Sequence, residues 1–116
     1  MLGKLQGKEF PVKTEELELI QQHISTNFPK YQPNELMIQR LKDALENNQL
    51  ISGADASFYF HELKEAELMQ QGSSYSEAHL QALKYYEVSP FSVYHPDVIQ
   101  SCSDEFNNNW KKAWGI

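Results

Sequence analysis

One stretch bounded by two glycines, Gly53 to Gly72, constrains this chain more than any other. It contains no proline and predicts a single helix of about five turns, with Gly72 well placed to end it. At ~100° per residue, apolar side chains occupy most of its circumference. Only Ser57, Lys64 and Gln71 form a free edge. We therefore expect this helix to lie at the centre of the fold.

The same helix carries a polar group on an otherwise apolar face. His61, Glu62 and Glu65 fall within one arc, beside large apolar side chains. Burying a carboxylate or an imidazole without a partner is costly. These side chains therefore need each other, a metal ion or an open cleft, and they are the main prediction of a functional site.

The rest of the chain predicts short helices with brief connectors. Residues 1–13 show no helical period and predict an extended arm or a short hairpin. Thr14–Asn27 predicts the first helix, with Thr14 as its N-cap. Ser74 and Glu77 have capping-box spacing. The other predicted starts are Asn34, Pro96 and Ser103. We expect one all-α domain over residues 1–116, an arm (1–13) and a helical core (14–116) of about five short helices around the central one.

Composition narrows the classes of function. The formal charge of −6 and the pI near 5.1 argue against a broad phosphate-binding surface, but not against a nuclease that works in a small cleft or through a metal. The single cysteine, Cys102, excludes an internal disulfide and a cysteine metal cluster. No apolar run approaches the ~20 residues of a membrane helix, so the chain is expected to be soluble.

Three histidines lie outside the central stretch. His23 sits beside the apolar stripe of the first helix and is interpreted as a surface or core-edge residue. His79 lies within an apolar stripe, one short loop from His61, and is either a site member or a satisfied core histidine. His95 precedes a proline in an aromatic loop, and loop histidines on a rigid scaffold are frequent in active sites.

Several ordered segments after Ile51 carry a family resemblance. They are SGADASFYFHEL (52–63), YSEAH (75–79), YEVSP (86–90), VYHPDVI (93–99) and the terminal Trp114-Gly115. In this order they resemble the C-terminal domains of bacterial polymorphic toxins. Those domains end long haemagglutinin-like, contact-dependent-inhibition and Rhs-repeat proteins. The likeness is firm from Ile51 onward and loose before it.

The resemblance implies a small toxic domain used in bacterial competition. Such a domain is delivered as the tip of a larger protein, acts in the cytoplasm of the target cell and is neutralised by a cognate immunity protein. Nucleases are the commonest activity of these tips, and we expect RNA rather than DNA as substrate. Lys64 and Tyr94 are the candidate substrate-binding residues. The candidate catalytic residues at matching positions are His61, Glu62, Glu65, His79 and His95.

Two chemical schemes fit these residues. In a metal-free cleavage of RNA, His61 and His79 act as base and acid while Glu62 or Glu65 orients one of them. His95 or Lys64 then faces the phosphate.

In the second scheme a divalent metal is held by His61, Glu65 and His79, or by His95 in place of His79. His61 and Glu65 stand four residues apart, a workable ligand spacing on a helix. The zinc-protease signature His-Glu-x-x-His is not met, because Glu65 occupies the second histidine position. The pattern does not choose between no cofactor and a divalent metal.

Three other interpretations stay open. In the first, His61, Glu65 and His79 form a buried polar network that only fixes helix packing. The chain can also be a non-enzymatic interaction module that binds a host protein through the Trp110 and Trp114 helix. A metal-dependent hydrolase acting on a protein target is the remaining alternative.

Overall fold

The longest helix, Gly53–Gln70, lies at the centre of the fold. The computed structural model describes residues Met1–Ile116 and contains six α-helices and no strand, which confirms the all-α prediction. The helices are α1 Thr14–Asn27, α2 Gln32–Glu46, α3 Gly53–Gln70, α4 Tyr75–Tyr86, α5 Pro96–Ser101 and α6 Asn108–Trp114. Three short 3₁₀ turns, Gly3–Leu5, Pro90–Ser92 and Ser103–Glu105, complete the secondary structure.

Helix α3 packs against α1, α2 and α4. Its position follows from its sequence, because a helix that is apolar on most sides must be covered on most sides. Phe58 and Tyr59 are fully buried on it and join the main hydrophobic core, to which α1 and α2 contribute residues such as Ile20 and Leu41. This burial fixes the rotation of α3 and hence the direction in which its polar arc points.

Two predicted helix signals are confirmed. Helix α1 spans Thr14–Asn27 as predicted, although Lys13 rather than Thr14 is its N-cap. At the start of α4, the Ser74 hydroxyl accepts a hydrogen bond from the Glu77 backbone N–H at 3.2 Å. Gly72 follows the end of α3 with a φ of 103°, which explains the glycine at that turn.

Two other predicted caps are wrong. Helix α2 begins at Gln32, before Asn34, because Pro33 fits the first turn of a helix, where no backbone N–H donor is needed. Helix α6 is capped by Asn107, whose side chain accepts from the Asn109 N–H at 3.0 Å. Ser103 instead opens a separate 3₁₀ turn. The local sequence is compatible with a cap at Asn34 or Ser103, but in the folded chain other residues occupy the cap positions.

The N-terminal arm packs onto the helical core. Phe10 and Ile51 exchange two backbone hydrogen bonds of 2.9 and 2.7 Å and form one isolated antiparallel bridge. Leu5 and Val12 are buried. The arm therefore begins with the 3₁₀ turn at Gly3–Leu5, is anchored at Phe10 and forms no hairpin. Separately, none of the helices combines the length and apolarity that crossing a bilayer requires.

Candidate functional site

Three imidazoles from three different helices converge on the buried carboxylate of Glu65. His23 Nε2, on α1, lies 2.7 Å from Glu65 Oε1. His61 Nε2, on α3, lies 3.0 Å from Glu65 Oε2, and His79 Nδ1, on α4, lies 3.3 Å from the same oxygen. Glu65 is thus the centre of a cluster that none of these helices forms alone.

The chain positions these side chains by simple means. His61 and Glu65 are four residues apart on α3 and therefore lie one turn apart on the same face. The turn through Gly72 returns the chain so that α4 packs against α3, which brings His79 within 3.1 Å of His61, from Nδ1 to Nε2. His23 arrives from α1, on another side of α3.

The tautomer of His23 is set by Asn27. The Asn27 amide nitrogen donates to the His23 carbonyl oxygen at 2.9 Å and lies 3.2 Å from His23 Nδ1. A carbonyl only accepts hydrogen bonds, so this atom must be the amide nitrogen, and His23 Nδ1 is then the acceptor. The proton lies on Nε2 and is donated to Glu65. The sequence favours a surface or core-edge position for His23, but the residue is buried inside the cluster.

The two carboxyl groups of the cluster have opposite electrostatic behaviour. Burial raises the pKa of Glu65, but hydrogen bonds from His23, His61 and His79 outweigh it and leave the pKa well below its usual range. Burial and the neighbouring Glu65 charge raise the pKa of Glu62 well above its usual range. Glu65 therefore stays ionised at neutral pH, whereas Glu62 holds its proton more tightly than an ordinary glutamate does.

Two buried polar atoms of the cluster lack a hydrogen-bond partner, namely Glu62 Oε2 and His61 Nδ1. The nearest imidazole to Glu62 Oε2 is that of His23, with Nε2 at 3.5 Å. Buried polar atoms are paired in the great majority of cases. The exceptions here lie on two residues that line the same pocket.

The cluster opens on a pocket of about 340 Å³. His79 is the member of the cluster that solvent reaches. Its side chain is 34% exposed, while those of His61 and Glu65 are 3% and 1% exposed. No lysine or arginine lines the pocket. Aromatic rings form much of its wall: Phe28, Tyr31, Tyr75, Tyr94 and Trp110.

His95, a predicted catalytic residue, lies outside this pocket. It caps α5, where its Nδ1 accepts from the Asp97 N–H at 3.0 Å. Burial and the charge of Arg40 lower its pKa. His95 is therefore placed to stabilise a helix start, because its only side-chain hydrogen bond is to that backbone.

The two predicted substrate-binding residues are separated. Lys64 lies outside the pocket, with its Nζ 4.3 Å from the centre of the Tyr85 ring and 3.4 Å from Glu67 Oε2. Tyr94 lines the pocket, and its hydroxyl donates to Asn34 Oδ1 at 2.6 Å. Only Tyr94 is therefore near the cluster.

The two tryptophans of α6, Trp110 and Trp114, pack mainly towards the interior of the protein. Trp114 Nε1–H donates to the Phe91 carbonyl oxygen at 2.8 Å, and both tryptophans pack against a small core formed by Ile99, Cys102 and Phe106. This arrangement does not favour α6 as an exposed contact surface.

The cluster combines features of a structural network and of a reactive site. Its hydrogen bonds join three helices, as a network that fixes packing would. Its exposed imidazole, its unpartnered Glu62 oxygen and its pocket are not needed for packing. Comparison with known proteins adds no identity, because no family model, no curated protein and no solved structure matches this chain.

Proposed function

We propose that this chain is the effector domain of a bacterial polymorphic toxin and that it cleaves RNA in the pocket beside Glu65. The observation that carries the proposal is the meeting of His61, Glu65 and His79 at a pocket walled by aromatic rings. Active sites typically combine buried ionisable groups, a side chain that solvent can reach, here His79, and a cavity for the substrate.

The aromatic wall suits an unpaired nucleobase. Single-stranded RNA is recognised chiefly by stacking its bases on aromatic side chains, and each stacked base contributes about 1–3 kcal/mol. Tyr75 is 42% exposed and its ring centre lies 5.7 Å from that of His79. A base held against Tyr75 would bring its own ribose and phosphate close to the cluster.

The chemistry requires proton transfer and charge neutralisation. In RNA cleavage, the 2′-hydroxyl loses its proton as its oxygen bonds to phosphorus, and the 5′-oxygen leaves and takes up a proton. In the metal-free scheme, His61 and His79 transfer the protons while a glutamate orients one of them. In the metal scheme, His61, Glu65 and His79 hold the ion instead. Since no lysine or arginine lines the pocket, the positive charge facing the phosphate must come from the cluster or from an ion that it holds.

Delivery and neutralisation follow from the resemblance of the segments after Ile51. On this proposal, the domain is the tip of a larger protein, acts in the cytoplasm of the target cell and is held inactive by a cognate immunity protein. The chain's formal charge of −6 fits a basic immunity partner, because opposite charges steer association.

A second candidate function is hydrolysis of a protein target. The absence of lysine and arginine from the pocket and the acidic chain favour a substrate without phosphates. The Glu62 carboxyl follows His61 directly, as the general base does in zinc proteases. The same pocket and cluster would then act on a peptide bond.

The deciding experiment compares purified wild-type chain with His79→Ala on total RNA and plasmid DNA, each with and without EDTA. His79 is partly exposed, so its removal should leave the fold intact by circular dichroism. We expect wild type to cleave RNA, and His79→Ala to cleave it ~10²–10⁴-fold more slowly. His95→Asn is the matched control, because it removes a histidine outside the pocket and keeps a helix-capping side chain.

Two outcomes would contradict the proposal. One is RNA left intact by a wild-type protein that still inhibits bacterial growth, which would favour the protein target. The other is a folded His79→Ala variant that cleaves RNA as fast as wild type.

A further inference from the structure

We infer that His61 Nε2, Glu65 Oε2 and His79 Nδ1 form a site for one divalent transition-metal ion of the zinc class. The fourth position of the ion faces the aromatic pocket. This inference deepens the proposed function by naming what activates the attacking oxygen. Its geometric basis does not depend on the substrate, so it can be tested separately.

The three atoms have the spacing of metal ligands. They lie 3.0 Å (His61 Nε2 to Glu65 Oε2), 3.1 Å (His61 Nε2 to His79 Nδ1) and 3.3 Å (His79 Nδ1 to Glu65 Oε2) apart. In a tetrahedral zinc site with bonds of about 2.0–2.2 Å, neighbouring ligand atoms are ~3.3–3.6 Å apart. An ion therefore fits among them with small adjustments. Two histidines and a carboxylate are also a known ligand set of catalytic zinc, which keeps one position open.

Protons alone do not satisfy this triangle. If His61 Nε2 and His79 Nδ1 both carry protons and donate to Glu65, two N–H groups face each other at 3.1 Å. If either nitrogen lacks its proton, its lone pair faces a lone pair of the Glu65 carboxylate. Because each nitrogen carries at most one proton, at least one of the three contacts stays unfavourable. A cation between the three lone pairs makes all three contacts favourable.

His23 supplies the support that such a site needs. Its Nε2–H, fixed by the contact of Nδ1 with Asn27, holds Glu65 Oε1 at 2.7 Å. This hydrogen bond leaves Oε2 as the oxygen directed at the two other imidazoles. Groups that orient a ligand in this way are typical of metal sites, and removing one usually weakens binding about 10–100-fold.

An unpartnered group points to the open fourth position. Glu62 Oε2 is buried without a hydrogen-bond partner and belongs to a residue that lines the same pocket as the three ligands. A water on the ion would lie in this pocket and offer Glu62 a partner. His79, the exposed ligand, marks the route by which the ion enters.

The ligand atoms select the class of ion. Calcium and magnesium prefer sites made of oxygen atoms, whereas two imidazole nitrogens and one carboxylate suit zinc and the neighbouring transition metals. The ion would also bring positive charge to a pocket without lysine or arginine. That charge is what a phosphodiester substrate requires.

The test uses the purified full chain, stripped with a chelator and titrated with Zn²⁺ or Co²⁺ alone. We expect one ion per chain and, with Co²⁺, the visible absorption of a tetrahedral complex. His79→Ala should weaken binding more than ~100-fold, beyond the loss typical of a supporting residue. His79→Gln replaces it if the alanine variant loses its circular dichroism.

The control is Glu67→Gln, which removes one negative charge from an exposed carboxylate on the same helix. It should change the affinity by less than ~3-fold, as expected for a screened surface charge. The inference fails if the wild-type chain binds no stoichiometric ion, if both His79 variants bind as tightly as wild type, or if Glu67→Gln weakens binding as much as they do.

The same proteins separate this inference from the proposed function. Cleavage of RNA by a chelator-stripped protein that also binds neither Zn²⁺ nor Co²⁺ stoichiometrically would overturn the metal site and leave the nuclease proposal in place. One bound ion without cleavage of RNA would support the metal site and overturn the nuclease proposal.

Discussion

His23 Nε2 donates a 2.7 Å hydrogen bond to Glu65 Oε1, although the two residues are 42 positions apart in the chain. The contact is fully enclosed, since the two side chains are 4% and 1% exposed. It ties α1 to α3 and fixes the plane of the Glu65 carboxylate. The orientation of the whole cluster therefore depends on a residue that does not line the aromatic pocket.

The His23–Glu65 hydrogen bond predicts a large stability effect. His23→Ala leaves the ionised Glu65 without one of its three imidazole partners inside the protein, and losing a buried hydrogen bond to a charged group costs about 1.5–3 kcal/mol. Urea unfolding of the metal-free protein measures the loss. The neighbouring Gln22→Ala is the control; its side chain is exposed, so a change within about 0.5 kcal/mol is expected. A His23→Ala loss below ~1 kcal/mol would show that the contact is not structurally important.

The aromatic wall predicts a binding effect that is separate from catalysis. Tyr75→Ala removes a ring that lines the pocket and packs edge-on against Phe28, with 5.1 Å between ring centres. If a base stacks on Tyr75, the binding free energy for single-stranded RNA should become less favourable by about 1–3 kcal/mol.

Fluorescence anisotropy with a labelled oligonucleotide checks this prediction. Tyr85→Ala is the matched control, because Tyr85 is 52% exposed on the same helix and does not line the pocket. Equal losses in the two variants would rule out base stacking at Tyr75.

Tyr59 predicts a loss of stability from the removal of a single hydroxyl. This hydroxyl donates to Glu16 Oε1 at 2.6 Å and accepts from the Lys13 backbone N–H at 3.0 Å. Tyr59→Phe leaves that N–H without its acceptor at the start of α1, and the expected cost is about 1–3 kcal/mol. Thermal or urea unfolding measures it. Tyr85→Phe should be neutral, because Tyr85 is 52% exposed. A neutral Tyr59→Phe would contradict the prediction.

His95 predicts a pH dependence of stability. Burial and the charge of Arg40 lower its pKa below 6.5, although the charges of Asp55 and Asp97 act in the opposite direction. The unfolded chain therefore binds this proton more readily than the folded chain, so the free energy of unfolding falls as the pH drops through ~6.5.

His95→Asn removes this dependence and keeps a cap for α5. Relative to wild type, the variant should gain stability between about pH 7.5 and 5.5, as measured by urea unfolding at both values. The other histidines are common to both proteins, so their contribution largely cancels in the difference. A difference that does not change with pH would contradict the assignment.

The candidate site was predictable where it depends on one helix or one turn. His61 and Glu65 share a face because of the α-helical period, and His79 follows after a turn marked by Gly72 and the Ser74 cap. His95 satisfied the same sequence criteria and lies elsewhere, because nothing local specifies the direction in which a loop returns to the core.

His23 gave no usable signal in the sequence, since a lone histidine beside an apolar stripe fits a core edge as well as a site. The misplaced caps at Asn34 and Ser103 have a related cause. Several residues near a helix start can serve as a cap, and the tertiary path selects one by burying or exposing the others.

The sequence by itself determined the all-α class, the central position of α3 and the polar arc that contains Glu65. These features follow from periodicity and from burial of a helix that is apolar on most sides, which local residues specify. Only the tertiary structure decided that His23, His61 and His79 meet at one carboxylate and that aromatic rings from distant segments enclose a pocket there. Those contacts depend on the angles and rotations at which helices pack, and packing of the whole core sets these.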